Sequence, residues 1–258
     1  MINLKWIKRF AFSISVLLSL FFVNNSHSFN HSTFDGLLRA NVKNGLVNYK
    51  GFANNKFYNY IESLANAKVT TLNNRAKLAF YINAYNAICI KQVLDNYNSI
   101  KDHPKGVSKD STFFDVKKYK ISGKIISLNE LENKIIRPTF REPLIHFGLV
   151  CAAKGCPPLQ SRAYTQTNVM SLLNNNANKY LRSTAGLRVA DAKKVIYISK
   201  IFQWYKVDFN DNSEDKENYS KDEFTGVRNY ISKFRKDLKS KIMNYNIQFI
   251  DYNWRLNK

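Results

Sequence analysis

One segment, from Asn73 to Tyr97, carries apolar side chains on nearly every face of the helix that its spacing predicts. A helix without a polar face is stable only when other elements surround it, so we expect it to run through the centre of the fold. Asn83 and Asn86 interrupt its apolar surface, three residues apart on one row. Buried amides need hydrogen-bond partners. These two either hold loop backbone and fix the core or take part in a functional site.

The rest of the chain alternates between helical and extended patterns. The predicted hairpins turn at Ser122-Gly123 and at 191–194, and a closing strand is predicted over 247–254. The acidic, Asn-rich stretch 208–222 is predicted to be an exposed loop. Because no linker or repeat divides residues 29–258, we expect one helix-rich α+β domain with a small antiparallel sheet. The other predicted helices cover 31–43, 54–67, 127–136, 164–183, 201–205 and 224–243.

The N-terminal residues resemble a targeting signal rather than a part of the fold. Three basic residues precede an apolar run, Phe10 to Val23, which is too short for a comfortable membrane span. Small residues at Ser26 and Ser28 predict cleavage after Ser28, so residues 1–28 are interpreted as a signal peptide. The mature protein is then exported to the periplasm or the medium and has no membrane span. An uncleaved N-terminal anchor is the alternative.

The chain is strongly basic, with a formal net charge of +21 over 258 residues. Loss of residues 1–28 would leave +18. Such a surface attracts anionic polymers, lipid headgroups or nucleic acid. The alternative is compositional drift, because Lys and Asn are spread along the whole chain. No nucleic-acid-binding signature is present, so an anionic envelope component is the partner class that stays open.

The densest set of reactive side chains lies between Leu144 and Leu159. It holds two of the three cysteines, Cys151 and Cys156, and one of the four histidines, His146. An apolar run begins this segment and ends at Gly155. A rigid element followed by such a break commonly positions reactive side chains in a loop. Neither a CxxC motif nor a zinc-binding Cys/His spacing is present, and we expect neither a metal nor another cofactor.

A nucleophilic cysteine needs a base and an oxyanion donor within hydrogen-bond reach. His146 and Cys151 are five residues apart, which separates their side chains on a regular strand and by about 140° on a helix. Cys156 lies beyond the predicted break and can fold back. Cys156 with His146 is therefore the better candidate dyad, and Cys151 is the substitute nucleophile. Asn83 or Asn86 would orient the reacting groups.

The competing interpretation is a disulfide between Cys151 and Cys156. The turn that contains Gly155 and Pro157 can bring the two within bridging range. Closing so short a loop would contribute about 2 kcal/mol in the chain-entropy model. Three cysteines in an exported chain favour one pair and one buried thiol, which would be Cys89 on the central helix. The disulfide, a thiol catalyst and two independent buried cysteines all stay open.

The chain contains a characteristic combination of short motifs. They lie at residues 79–87, 99–102, 145–147, 150–159, 163–165, 199–205 and 251–254. Together they resemble the bacterial and plant family catalogued as domain of unknown function 547. The likeness extends over essentially all of the mature chain. The departures are Tyr81, where that family usually has Trp, and Asn253, where it often has Asp. The resemblance implies a shared fold and no assigned activity.

Two classes of function follow from these patterns. One is a non-catalytic envelope module whose Cys-Pro loop is stapled by a disulfide and whose basic surface binds an anionic partner. The alternative is a thiol-dependent hydrolase or acyl transferase that uses a Cys/His pair. An aromatic cluster would line a groove for a sugar or peptide if exposed, and belongs to the core otherwise. Its members are Phe202, Trp204, Tyr205, Tyr252 and Trp254.

Overall fold

The structure, a computed structural model, describes residues 28–110, 112–210 and 222–258. Helices dominate these ranges and small sheets pack among them, which confirms the predicted helix-rich α+β class. The signal-peptide prediction falls on residues 1–27, outside the described residues. Within the described ranges, no helix is long and apolar enough to cross a membrane.

The helices are short except for the central one. Their bounds are α1 Ser32–Asn41, α2 Asn55–Ala65, α3 Asn74–Asp95, α4 Tyr97–Ile100, α5 Leu128–Glu130, α6 Arg137–Phe140, α7 Val169–Leu181, α8 Ile201–Trp204, α9 Lys206–Asn210, α10 Thr225–Phe234 and α11 Lys239–Asn244. The strands are β1 Val42–Lys43, β2 Leu46–Val47, β3 Tyr119–Ile121, β4 Lys124–Ile126, β5 Leu187–Ala190, β6 Val195–Ser199 and β7 Asn246–Ile250.

Helix α3 is the central helix that its pattern predicts. Asn73 caps it by accepting a hydrogen bond of 2.9 Å from the backbone N–H of Ala76. Its buried side chains come from every face, and α2, α7 and the segment after α5 pack around it. Cys89 is buried on this helix, and burial raises the pKa of its thiol. It is therefore a small apolar core residue rather than a reactive one.

Strands β5, β6 and β7 form a mixed sheet. The antiparallel pair β5–β6 pairs Leu187 with Ile198, as the predicted hairpin requires. Strand β7 pairs with β6 in parallel, Val195 facing Asn246, because α10 and α11 carry the chain back before β7 begins. The β3–β4 hairpin turns at Ser122, which adopts a φ of 47°, and at Gly123.

The predicted helix at 127–136 begins as expected and ends later. The Ser127 hydroxyl accepts from the Glu130 N–H at 3.1 Å, and the Glu130 carboxylate accepts from the Ser127 N–H. After α5 the backbone widens into a π-helix, Leu131–Ile136, and continues into α6. The predicted stop before Pro138 is wrong, because Pro138 stands in the first turn of α6, where a missing N–H is tolerated.

Two further boundaries differ from the sequence prediction. Helix α7 begins at Val169 instead of Tyr164, because Thr165 and Asn168 form a local turn first, with their side chains bonding each other's backbone N–H. The exposed loop predicted from Asp208 onward begins later, since Asp208 lies half-buried in α9. Residues 211–221 of that stretch lie outside the described residues.

Candidate functional site

The central segment enters the core as a single 3₁₀ turn, Pro143–Phe147, and continues as irregular backbone. Irregular buried backbone has no ladder partners, so side chains must satisfy its polar groups. Asn86 does this with both ends of its amide. Its Nδ2 donates to the Gly148 carbonyl at 2.9 Å, and its Oδ1 accepts from the Val150 N–H at 3.0 Å.

Asn83 makes the same double contact with a different loop. Its Nδ2 donates to the Tyr164 carbonyl at 2.8 Å, and its Oδ1 accepts from the Tyr164 N–H at 3.0 Å. Both asparagines are buried as predicted, and both hold loop backbone. Neither lines the cavity that contains His146. Asn86 therefore positions the segment that carries Cys151 and does not itself face a ligand.

Cys151 and Cys156 form a disulfide, with Cα atoms 6.4 Å apart. The turn between them includes Ala152, whose φ of 63° lies in the left-handed region. The Cys151 N–H donates to the Cys156 sulfur at 3.2 Å, and the Tyr252 hydroxyl donates to the same sulfur at 3.1 Å. The Tyr252 oxygen also lies 3.2 Å from the Cys151 sulfur. The bridge thus fastens the C-terminal segment to the central one.

A regular segment would keep His146 and Cys151 apart, and the sequence predicts Cys156 as the partner of His146. The structure groups these residues differently. His146 and Cys151 line one cavity, whereas the sulfur of Cys156 is bonded to Cys151 and Cys156 is buried beside a different surface groove. The physical reason is the irregular backbone after Phe147, to which neither helical nor strand periodicity applies.

The cavity has a volume of about 340 Å³. Several parts of the chain meet there: α3, the turn at 114–115, α5, the π-helix, the central segment and the two aromatic stretches that follow β6 and β7. Its lining consists of Tyr85, Phe114, Asp115, Asn129, Glu132, Asn133, His146, Leu149, Cys151, Pro157, Ile201, Trp204, Tyr205, Tyr252 and Trp254.

His146 is held in place on two sides. Its Nε2 donates to Asp208 Oδ2 at 2.7 Å, since a carboxylate can only accept. Arg137 binds the same carboxylate with two nitrogens, at 2.6 and 2.7 Å. Burial alone would raise the pKa of Asp208, but the hydrogen bonds from His146 and Arg137 outweigh it and hold that pKa well below its usual range. The Tyr205 ring stacks on the imidazole with centroids 4.0 Å apart.

Glu132 is a buried carboxylate on the π-helix, with 7% of its surface exposed. Its charge acts on the nearby hydroxyls of Tyr85 and Tyr205. Burial first, and the Glu132 charge second, raise the pKa of both phenols, so both stay protonated donors. Glu132 is not among the site residues that the sequence predicts. The available signal was its spacing, four residues after Leu128 and four before Ile136, which places it on the apolar side of a helix.

Three aromatic rings form one wall of the cavity. Trp204 packs against Tyr252 and Trp254, with ring centroids 4.8 and 5.8 Å away, and Tyr252 lies 4.7 Å from Trp254. Trp204 is 45% exposed although it belongs to this cluster. Phe202, from the same sequence motif, is fully buried in the core. The predicted aromatic cluster is thus divided between the core and the cavity.

Metal ligation is a separate question. In the ranges that the structure describes, no group of three or more His, Cys, Asp or Glu side chains is arranged to hold an ion. Two of the lining groups have protein partners instead. Glu132 lies beside the two phenols, and His146 donates a hydrogen bond to the Asp208 carboxylate. The chemistry that these side chains offer is hydrogen bonding, charge and aromatic contact.

Comparison with known proteins gives one match. The family model described as "Protein of unknown function, DUF547" matches residues 69–181, which include Asn83, Asn86, Glu132, His146 and the disulfide. No curated protein and no solved structure matches the chain. The motifs at 199–205 and 251–254, which supply the aromatic wall, lie beyond the matched region. Over residues 69–181, less than half of the chain, the protein is therefore similar to the DUF547 family that its motifs resemble.

Proposed function

We propose that this protein is an exported, non-catalytic binding module of the envelope, and that the cavity between Glu132 and the aromatic wall is its ligand site. One observation carries the proposal: a buried carboxylate and a partly exposed aromatic wall meet in a single cavity of about 340 Å³. Sites for small molecules have this form, with mostly apolar walls and a few fixed polar groups.

The groups around the cavity favour binding over catalysis. The sulfur of Cys151 is bonded to Cys156, so it offers no thiolate. The imidazole of His146 is committed to Asp208 on one side and stacked on Tyr205 on another. Such a fixed arrangement suits a rigid binding site, in which little ordering entropy is lost when a ligand enters. The disulfide acts in this account as the staple of one cavity wall.

Export is supported by the disulfide and by the N-terminal sequence. Structural disulfides persist in oxidising compartments and are rare in the cytosol. The basic start, the apolar run and the small residues before Phe29 have the organisation of a cleaved signal peptide. The proposal is that the mature protein begins at Phe29 and functions in the periplasm or the medium.

A second candidate is a thiol-dependent hydrolase or acyl transferase. The observation in its favour is that Cys151 and His146 line the same cavity. Reduction of the disulfide would free a half-buried thiol on Cys151 beside an imidazole, which are the two groups that a cysteine nucleophile requires. In that case Cys151 is the nucleophile and His146 the base.

The tryptophans make the binding proposal directly testable. Of the three in the chain, Trp6 lies in the predicted signal peptide, and Trp204 and Trp254 both line the cavity. The tryptophan fluorescence of the 29–258 protein, excited where tyrosine does not absorb, therefore comes from this site. Titration with a panel of small ring compounds, sugars and amines should give a saturable change with at least one of them. A W204F variant should lose much of that signal.

Two controls define the result. Free N-acetyltryptophanamide, titrated with the same compounds, corrects for absorption and collisional quenching. A compound that binds should also protect the protein against thermal unfolding, because a ligand of the folded state stabilises it. A panel that leaves both the fluorescence and the unfolding temperature unchanged would contradict the binding proposal.

A further inference from the structure

We propose that the cavity selects a small organic cation, a molecule that carries a protonated or quaternary amine. This inference rests on the proposed function of the cavity as a ligand site and specifies which ligands it takes. Three observations support it: the charge of the lining, the partners of Glu132, and the aromatic wall.

The lining of the cavity has the opposite charge to the chain as a whole. The protein has 40 Lys and Arg residues against 19 Asp and Glu. The cavity is lined by Asp115 and Glu132, and the described residues that line it include neither Lys nor Arg. The nearby guanidinium of Arg137 is held by Asp208 and is not among the lining groups. Local charge thus favours a cation where the net charge would favour an anion.

Glu132 differs from two other carboxylates of low exposure in making no direct ion pair within the described part of the chain. Asp208 pairs with Arg137, and Asp95 pairs with Lys91 and Lys118. The charge of Glu132 acts on the neutral phenols of Tyr85 and Tyr205 and, from beyond ion-pair distance, on Arg137, which Asp208 already binds.

A buried carboxylate that lacks a counter-charge is costly, and the cost falls when a cation binds beside it. The two phenols leave Glu132 acceptor capacity, since an ionised carboxylate has about four lone-pair sites. A ligand ammonium can therefore form charge-assisted hydrogen bonds with it.

The aromatic wall provides the second half of such a site. Trp204, Tyr252 and Trp254 present indole and phenol rings to the same space as Glu132. Ring faces attract ammonium groups, Trp most strongly, and the attraction increases when water is excluded. A carboxylate on one side and aromatic rings on the other is the arrangement that distinguishes an amine from a neutral molecule of the same shape.

The experiment uses three probes with nearly the same body: phenethylammonium, 2-phenylethanol and 3-phenylpropanoate. Their affinities for the 29–258 protein are measured by tryptophan fluorescence and by calorimetry. We expect the cation to bind at least ~10-fold more tightly than the alcohol, because a hydrogen bond between charged groups is stronger than one that involves a neutral hydroxyl. The anion should bind most weakly. The net charge of the protein alone predicts the reverse order for the two ions.

Two variants assign the preference to Glu132. E132Q keeps the shape and one acceptor oxygen but removes the charge, so the cation and the alcohol should then bind within about 3-fold of each other. Unchanged affinity for 2-phenylethanol shows that the cavity is intact. E62Q, at an exposed carboxylate of α2 outside the cavity lining, is the matched control and should retain the preference.

The outcomes separate this inference from the function on which it rests. Equal affinity of the wild-type protein for the cation and the alcohol overturns cation selection and leaves the binding site in place. A preference that survives E132Q also overturns the role of Glu132. Failure of all three probes, together with failure of the compound panel, overturns the binding site itself.

Discussion

The imidazole of His146 and the carboxylate of Asp208, 62 residues later in the chain, are joined by a hydrogen bond of 2.7 Å. Arg137 completes the set from a third element by binding both oxygens of the same carboxylate. Three distant segments therefore converge on one half-buried charge, and the orientation of His146 in the cavity depends on it.

Replacing Asp208 tests this convergence. D208N should lower the free energy of unfolding at neutral pH by about 2 kcal/mol, because Arg137 loses its counter-charge. The pKa of Asp208 is lowered in the folded protein, so its contribution is present above the ordinary aspartate range and is lost as the pH falls through the folded value. The difference between wild type and D208N in urea unfolding should therefore shrink on acidification.

The control for D208N is D191N. Asp191 pairs with Lys241 at the surface, and exposed pairs contribute little, so its loss should leave the urea midpoint nearly unchanged at any pH. A D208N protein that unfolds at the wild-type urea midpoint at neutral pH would contradict the convergence of the three segments.

The amides on α3 give a second prediction. Asn86→Leu should cost about 1–3 kcal/mol of stability, because it leaves the Gly148 carbonyl and the Val150 N–H without partners in the core. Asn83→Leu should cost a similar amount at Tyr164. Asn175→Leu, on the exposed face of α7, is the control and should leave the urea midpoint nearly unchanged. If the Asn86→Leu and Asn83→Leu variants unfold at the same urea midpoint as the control and the wild-type protein, the α3 amides do not hold the loops.

The sequence predicts those features whose cause is local. The start of the helix at Ser127, the burial of α3 and the turn at Ser122-Gly123 each follow from a few neighbouring residues. The partners of Asp208 could not be predicted in this way, because Arg137 is 71 residues away and only the tertiary fold brings the two side chains together. The acidic, Asn-rich composition of residues 208–222 favours a solvent-exposed loop instead.

The cysteines show the same difference between features with a local cause and features that depend on distant residues. The sequence indicated a short Cys151–Cys156 loop as one of several alternatives, and the structure contains the bridge. The sequence does not predict that Cys151 and His146 line the same cavity, because regular backbone would separate their side chains. The segment is irregular, and the bonds from Asn86 on another element determine its path.

The state of the thiols distinguishes the module from the enzyme. Native wild-type protein should not react with iodoacetamide, because Cys89 is buried with a raised pKa and the other two cysteines are bonded. Urea-unfolded protein is the control and should label at Cys89. Cys156→Ser should lower stability by about 2 kcal/mol and expose Cys151 to labelling. Labelling of native wild-type protein at Cys151 below about pH 8 would favour the thiol enzyme instead.

Export predicts a defined N terminus. Protein recovered from the cell envelope fraction or the medium should begin at Phe29, because signal peptidases cut after small residues such as Ser28. Ser28→Phe should block that cut and retain the longer chain. An intact Met1 on wild-type protein that stays with the membrane would contradict the prediction.

The most direct test of the account is a two-dimensional ¹H–¹⁵N NMR titration of the 29–258 protein with phenethylammonium. This protein has two indole N–H groups, those of Trp204 and Trp254, and both residues line the cavity. The account predicts that both indole signals move with one common dissociation constant and that E132Q weakens it by about 10-fold. Indole signals that stay in place while phenethylammonium shifts resonances elsewhere, or shifts none, would contradict it.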